Sequence, residues 1–177
     1  MVRIAIPGAF VATLLVGSMA ACTNTGQAQM VTYVKRASNL TQAEFWDYWE
    51  TQHAPKVAPL AVHFNITRYQ QIQVGGQILP TAAGSTEPAS NELVDFDGIA
   101  MFLYRSDEVL AAMLAHPYYL NVVEPDEHVF IDKSAFGAGM VATFVGKNIE
   151  IVDGKKDVWV GEKATRERYQ DIFESYL

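Results

Sequence analysis

The chain has 177 residues, of which 50% are hydrophobic and 19% are charged, and its formal net charge is −7. This length and composition predict one compact domain with a core of its own. An acidic chain without basic clusters repels phosphate backbones, so we expect no nucleic-acid partner. A small organic molecule, uncharged or weakly acidic, is the better-matched ligand.

Residues 1–29 differ in composition from the rest of the chain and have the layout of a secretory signal peptide. Arg3 precedes an apolar run over residues 4–16, and small residues and then polar residues follow that run. The run is too short to span a bilayer comfortably, so we expect no stable membrane insertion once the leader is removed. This interpretation predicts a secreted protein, in which the sequons at Asn39 and Asn65 are candidate glycosylation sites.

Two other interpretations of the leader stay open. Cys22 is the only cysteine and stands where a bacterial lipoprotein is acylated, although we favour an ordinary cysteine within a discarded leader. A chain with a single cysteine forms no internal disulfide. Met30 lies at the start of the first predicted strand and would suit the true start of a shorter chain, which predicts a cytoplasmic protein.

A capping box marks the start of the first predicted helix, which follows a strand over residues 30–35. Thr41 and Glu44 have the spacing at which the threonine oxygen accepts a free helix amide and the glutamate reaches back to the cap. A helix that begins here places Phe45 and Trp49 on one apolar face. We expect that face to pack on a sheet.

Two prolines follow this helix closely. Pro55 and Pro59 permit only short helical pieces with a bend between them. Residues 66–74 then alternate as a strand, which puts Arg68 and Tyr69 on opposite faces. One of these two side chains therefore faces the concave surface of the sheet.

The second half of the chain begins with a long connection over residues 75–92, a length typical of a mobile segment or a lid. Another strand, helix and strand are predicted after it, and Ser106 or Asp107 caps the helix. These predicted elements are a strand over 95–104, a helix over 108–115, an irregular stretch over 117–127 and a strand that starts at 128–132 and resumes at 140–145.

The order strand, helix, strand, strand, helix, strand predicts an α+β fold, the ferredoxin-like βαββαβ domain. Two helices cover one face of its sheet, and the other face needs a partner sheet, so we expect a homodimer. The domain spans residues 30–146. Residues 147–177 form an extension whose amphipathic helix is peripheral and crosses to the other subunit in one interpretation.

The stretch 35–70, KRASNLTQAEFWDYWETQHAPKVAPLAVHFNITRYQQ, together with VDFDGIAMFLYRSDE, AHPYYLNVVEPDE and HVFID, resembles EthD-like proteins. These are small ferredoxin-like domains that pair into a dimeric α/β barrel. The sequence is most similar to fungal polyketide-pathway members that dehydrate or decarboxylate aromatic polyketide intermediates. The resemblance covers residues 30–146 and implies such a small aromatic substrate.

No standard catalytic or metal motif occurs in the sequence, so we predict no metal and no cofactor. Acid-base chemistry remains, and histidine suits it because its usual pKa is near neutrality. His53, at the end of the first helix, is our first candidate for acid or base. His128 is the second, since Asp126 and Glu127 precede it and a carboxylate can orient its ring.

Asp97 is the third candidate for a catalytic role, because it lies in an otherwise apolar strand where an unpaired carboxylate is costly. We expect it to pair with Arg68 or a histidine, and we favour a structural ion pair over direct catalysis. Four residues are candidates for substrate binding or for holding an oxyanion, and they are Arg68, Tyr69, Tyr33 and Tyr104.

The resemblance and the available acid-base groups together predict a cofactor-independent lyase, a dehydratase or decarboxylase of secondary metabolism. One alternative is a cofactor-free oxygenase of anthrone-like phenols, which some dimeric α/β barrels are. Haem chemistry is another, since related barrels bind haem, although no axial ligand stands out here. A third is a secreted protein that binds hydrophobic small molecules.

Overall fold

The computed structural model describes residues 26–177. Residues 26–159 belong to one compact unit, and residues 160–177 belong to a second. The strands are β1 Ala28–Val34, β2 Arg68–Ile72, β3 Gly76–Ile78, β4 Val94–Phe96, β5 Gly98–Tyr104, β6 Met140–Lys147, β7 Val152–Asp153 and β8 Lys156–Asp157. The α-helices are α1 Gln42–Tyr48, α2 Ala54–His63, α3 Asp107–Leu114, α4 Glu124–Phe130 and α5 Lys163–Glu174.

Four strands form the main sheet in the order β2-β5-β1-β6. Every neighbouring pair is antiparallel, and Thr32 of β1 lies opposite Ala100 of β5 and Thr143 of β6. Two smaller sheets pair β3 with β4 and β7 with β8. The main sheet and the helices between its strands are the predicted α+β ferredoxin-like βαββαβ fold.

The start of α1 has the predicted capping box. Thr41 Oγ1 accepts a hydrogen bond from the Glu44 backbone N–H at 3.3 Å, and the Thr41 N–H donates to Glu44 Oε2 at 2.7 Å. These bonds satisfy two backbone donors that a helix start otherwise leaves free. Phe45 and Trp49 are buried, as the apolar stripe predicts.

The helical residues continue from α1 into α2 without a break, so the prolines do not interrupt the helix, and the bend predicted between the pieces stays a prediction. A π turn, Trp49–His53, joins the two helices, and the Ala54 N–H bonds to the Trp49 carbonyl across five residues. Pro55 lies in the first turn of α2, where its missing N–H costs little. The extra residue of a π turn rotates the residues around it, and such turns are frequent at functional sites.

Two predictions for the second half of the chain are wrong. The stretch predicted as irregular contains a second π turn, Tyr119–Val123, and the strand predicted from His128 is the last part of α4. Pro125 fits the first turn of this helix, and the acidic residues around it favour a helix N-terminus. The β-branched residues at 129 and 131 misled the prediction, because tertiary packing overrides such short-range preferences.

The strand predicted over residues 95–104 is interrupted at Asp97, which lies between β4 and β5. The Asp97 carboxylate accepts from Arg36 at Nε and at the backbone N–H, each at 3.1 Å. Its partner is therefore Arg36, and the predicted pairing with Arg68 or a histidine is wrong. The ion pair holds the end of β1 against the start of β5.

The long connection over residues 75–92 is partly ordered by pairing with other strands. Its first residues form β3, and Thr81 makes backbone hydrogen bonds with Val141 at 3.1 Å and with Thr143 at 3.0 Å along the edge of β6. Thr81 is buried. The connection is thus attached to the sheet in its middle.

Helix α5 corresponds to the predicted amphipathic helix of the extension. Four apolar side chains on it or just after it are exposed, and they are Tyr169, Ile172, Phe173 and Tyr176. No helix among residues 26–177 has the length and apolar character needed to cross a bilayer. The predicted leader lies outside the described residues except for its last four positions, so secretion stays a prediction.

Candidate active site

A cavity of about 260 Å³ lies between the main sheet and the helices that cover it. Alternate residues of the strands supply its floor, because successive side chains point to opposite faces of a sheet. The helices and both π turns supply its walls. Its lining residues include Thr32, Tyr69, Ala100, Phe102 and Thr143 from the strands and Trp49, His53, Val57, Leu60, Tyr119, Val123 and Glu127 from the helical side.

His53 ends the first π turn and lines this cavity. The residue is only 5% exposed, and its ring packs on Phe130 with the centroids 4.8 Å apart. The imidazole Nδ1 lies 2.8 Å from Oδ2 of Asp126 in α4. Among residues 26–177, no hydrogen bond to Nε2 of this ring is found, so Nε2 is left for a molecule in the cavity.

Asp126 is buried behind His53 and is held by three donors. Its Oδ1 accepts from the Tyr48 hydroxyl at 2.7 Å and from Lys56 Nζ at 2.5 Å, while its Oδ2 faces His53. Burial by itself raises the pKa of this carboxyl, but hydrogen bonds from Lys56, Tyr48 and His53 outweigh it and hold the pKa below its usual range. The group is therefore a carboxylate at neutral pH.

This carboxylate decides which imidazole nitrogen carries the proton. An ionised carboxylate only accepts hydrogen bonds, so Nδ1 of His53 must be the donor and Nε2 of the neutral ring has the free lone pair. Burial lowers the pKa of His53, although Asp126 and the negative charge of Glu127 act in the opposite direction. At neutral pH the ring of His53, which lines the cavity, is an uncharged base.

Tyr69 is the second polar group of interest in the lining. Its ring stacks on Phe102 with the centroids 4.5 Å apart, and its hydroxyl oxygen accepts from Gln71 Nε2 at 2.7 Å. Burial raises the pKa of Tyr69 to about 12. The hydroxyl therefore keeps its proton and can donate it in a hydrogen bond to a carbonyl oxygen.

Glu127 follows Asp126 in α4 and also lines the cavity. The residue is 5% exposed, and its carboxylate accepts from the Tyr119 hydroxyl at 2.9 Å and from Lys133 Nζ at 2.6 Å. Burial, together with the charge of Glu127, raises the pKa of Tyr119 well above its usual range. This wall thus contains the side chain of Glu127, which is held by two donors of its own.

The structure brings two of the predicted site residues, His53 and Tyr69, into one cavity and leaves the others outside it. His128 is on the surface, with its side chain 56% exposed and its Nε2 2.8 Å from Glu124 Oε1. Arg68 is on the face of β2 opposite Tyr69, as the alternation predicts, and pairs with Glu150 and Asp153.

The other three predicted site residues, Tyr33, Tyr104 and Asp97, do not line the cavity and make contacts within the fold instead. Tyr33 lies on the sheet face away from the cavity, where it packs edge-on against Phe96 and Phe144. Tyr104 is fully buried in the core, its hydroxyl donates to Asp107 at 3.3 Å, and burial raises its pKa to about 12. The Asp97 carboxylate is the ion-pair partner of Arg36 and does not line the cavity.

Sequence reasoning missed Asp126 as the partner of His53, and it missed Glu127 as part of the cavity wall. Both were considered only as neighbours of His128. A helical interpretation of this stretch would have found them, because Val123, Asp126, Glu127 and Phe130 recur at helical spacing and are all buried. Lys56 and Tyr48 carry no comparable signal, since their roles depend on Asp126.

Within residues 26–177, no group of three or more His, Cys, Asp or Glu side chains is placed to hold a metal ion. The groups available for chemistry in the cavity are an imidazole, a carboxylate and hydroxyls. This set can remove a proton, return it and stabilise a developing oxyanion.

Two of the solved structures that resemble this chain are described as EthD proteins. A crystal structure of an EthD family protein from Bacillus halodurans is 13% identical, with a TM-score of 0.42, over 70% of this chain and 99% of that one. An EthD-like protein from Ralstonia eutropha is 14% identical, with a TM-score of 0.40, over 72% of this chain and 95% of that one.

Sequence comparison finds two fungal relatives that are named as dehydratases. The conidial pigment biosynthesis dehydratase EthD of Metarhizium robertsii is 29% identical over 99 residues, which are 56% of this chain and 70% of the relative. The dehydratase aurZ of Gibberella zeae is 27% identical over 117 residues, which are 65% of this chain and 76% of the relative. The EthD domain profile matches residues 37–134, a range that contains both His53 and Asp126. Since this range is more than half of the chain, the protein belongs to the EthD domain family.

Proposed function

We propose that this protein is a cofactor-independent dehydratase that eliminates water from an aromatic polyketide intermediate, with His53 as the acid-base group. The observation that carries the proposal is the Asp126–His53 pair, in which a buried carboxylate holds Nδ1 of a histidine that lines an apolar cavity. Two relatives named as dehydratases, one of them in pigment biosynthesis, support the reaction class. The aromatic and aliphatic walls suit a planar apolar substrate.

The proposed reaction uses a substrate with a hydroxyl group two carbons from a carbonyl. Nε2 of His53 takes the proton from the carbon between them, and the C–H electron pair forms an enolate. These electrons then make the new carbon–carbon double bond as the bond to the hydroxyl breaks. The imidazolium gives its proton to the departing oxygen, so water leaves and His53 returns to its neutral form.

Two neighbours assist this step. Asp126 stabilises the imidazolium that forms after proton removal, because its carboxylate is 2.8 Å from Nδ1 and stays ionised. Tyr69 donates its hydroxyl hydrogen bond to the carbonyl oxygen as negative charge develops there, since Gln71 already occupies the acceptor side of that hydroxyl. Asp126 is a positioning residue, and His53 and Tyr69 touch the substrate.

The test is mass spectrometry of the purified full chain incubated under nitrogen with aromatic hydroxy ketones, hydrated pyranones and aromatic polyketide acids. Wild type and His53→Gln are compared, and His128→Ala is the matched control because His128 is exposed and outside the cavity. The proposal requires loss of water with wild type and the control, and much less with His53→Gln. Loss of carbon dioxide instead would indicate a decarboxylase, and product that gains oxygen only in air would indicate an oxygenase.

The same proposal includes a homodimer. The sheet face away from the cavity exposes apolar side chains, among them Phe144 at 42% and Ile72 at 39%. A second copy that packs its own sheet on this face would bury them, which is favourable in water. Light scattering of the purified chain at micromolar concentration is expected to give the mass of a dimer, and a stable monomer would contradict this assembly.

A further inference from the structure

The charges around the cavity are distributed unevenly. Among residues 26–177, no lysine or arginine side chain lines it, and the one carboxylate in the lining is that of Glu127. Two lysines lie near the site, but each is directed to a carboxylate: Lys56 Nζ is 2.5 Å from Asp126, and Lys133 Nζ is 2.6 Å from Glu127. A molecule in the cavity therefore meets the carboxylate end of the Glu127–Lys133 ion pair, while the Lys133 ammonium group lies outside the lining.

This distribution of charge disfavours the binding of anionic ligands in the cavity. A carboxylate that enters an apolar cavity loses its hydration, and only a cation or several donors can replace that hydration. The Glu127 carboxylate adds repulsion at short range, where the surrounding protein screens charge less than water does. A ketone or alcohol of the same shape loses far less hydration free energy on entering the cavity, because one or two hydrogen bonds satisfy its polar group.

His53 is the one lining residue, within the described part of the chain, that can become a cation near neutral pH. Its ring is buried, and burial lowers the pKa of the imidazole. The free base is also the form that the proposed elimination requires. An anion that bound by protonating His53 would remove the base and block the reaction.

We infer that Glu127 is a specificity-determining residue that excludes anionic molecules from the cavity. The substrate class is then an uncharged aromatic hydroxy ketone, and the site is specialised for loss of water. Decarboxylation needs a substrate acid, which is ionised at neutral pH and is excluded. This inference rests on the proposed function for the identity of the site, but charge selection is a property of binding and does not depend on turnover.

A purely structural role for Glu127 makes a different prediction. Glutamine at this position keeps the volume and keeps an oxygen that accepts from the Tyr119 hydroxyl, while it removes the negative charge. Lys133→Gln is made in the same protein, because Lys133 would otherwise be an unpaired cation that attracts anions whatever the role of Glu127; Glu127→Gln denotes this double variant. If Glu127 only anchors Tyr119 and Lys133, Glu127→Gln alters stability and leaves the preference between neutral and anionic ligands unchanged. If it excludes anions, the preference itself changes.

The experiment is isothermal titration calorimetry of the full chain with 2-acetylnaphthalene and 2-naphthoate, a neutral ketone and an anion on the same ring. Wild type is expected to bind the ketone at least about tenfold more tightly than the anion, since an unpaired buried charge is costly. Glu127→Gln is expected to reduce this ratio severalfold. Glu124→Gln is the matched control, because it removes the same charge from a half-buried position of the same helix that does not line the cavity, and its ratio is expected to equal that of wild type.

A third ligand keeps the test valid if Glu127→Gln fails to fold. Wild type is expected to bind the cation 2-naphthylmethylamine more tightly than 2-naphthoate, since only the anion is repelled by Glu127. Equal ratios in wild type and Glu127→Gln, a preference of wild type for naphthoate, or no binding of the neutral ketone would each overturn the inference. Charge selection without any turnover would refute the proposed dehydratase and leave the inference standing.

Discussion

Asp126→Asn replaces the carboxylate that determines which ring nitrogen of His53, the proposed base, carries the proton. In the wild-type protein Oδ2 accepts from His53 Nδ1 at 2.8 Å, while Oδ1 accepts from Tyr48 and Lys56. An asparagine has only one oxygen, and Tyr48 and Lys56 are both donors that hold it on their side. The amide nitrogen then faces Nδ1, and because it can only donate, the imidazole proton moves to Nε2.

The size of the effect follows from this change of tautomer. A ring with its proton on Nε2 presents a donor to the substrate, so the free base is lost although His53 is still in place. Positioned acid-base catalysis contributes about 10²- to 10⁴-fold to rates, and we expect kcat to fall by a factor in that range. Asp126 does not line the cavity, so KM is expected to change little.

Steady-state kinetics measures this, with the absorbance of the conjugated product as the signal. Asp47→Asn, which removes the same charge from an exposed position of α1, is the control and is expected to retain wild-type kcat. Circular dichroism and thermal unfolding test whether Asp126→Asn is folded. A folded variant with kcat near the wild-type value would refute the role assigned to Asp126.

Three further outcomes are expected. Because neutral His53 is the base and burial lowers its pKa, kcat/KM should fall with acid only below about pH 6.5, the usual histidine value, and a midpoint above that value contradicts the assignment. Gly98→Ala places a Cβ against Trp49 Cζ3, closer than van der Waals contact, and we expect urea unfolding to show a loss of about 1–3 kcal/mol from overpacking; unchanged stability would mean that Trp49 moves freely. Thr41→Ala removes the oxygen that caps α1 at Glu44, and thermal unfolding should report a loss of about 1 kcal/mol, whereas Ser in place of Thr should restore it.

Asp126 also makes the free energy of unfolding depend on pH in the acidic range. Its folded-state pKa is lowered, so its contribution to stability is present above the unfolded value of about 4 and is lost as the pH falls through the folded value. Asp126→Asn lacks this contribution at every pH. We therefore expect the difference in unfolding free energy between wild type and variant to shrink below pH 4, and a constant difference would contradict the linkage.

Local sequence signals were sufficient for much of the fold. The capping box at Thr41 and Glu44 located the start of α1, because cap hydrogen bonds join residues three apart and need no tertiary partner. Alternation in β2 separated Tyr69 from Arg68 for the same local reason. Local signals failed at α4, where a short β-branched run suggested a strand and only burial against the sheet established the helix.

The sequence by itself determined the βαββαβ order, the family and the candidacy of His53, since each depends on neighbouring residues or on a recognisable stretch. Tertiary structure alone decided the partner of that histidine. Asp126 lies 73 residues further along the chain than His53. The first π turn positions His53, and α4, which the sequence analysis predicted as a strand, positions Asp126. Hydrogen-bond partners, burial and the resulting pKa values depend on distances in space, and a linear pattern contains none of these distances.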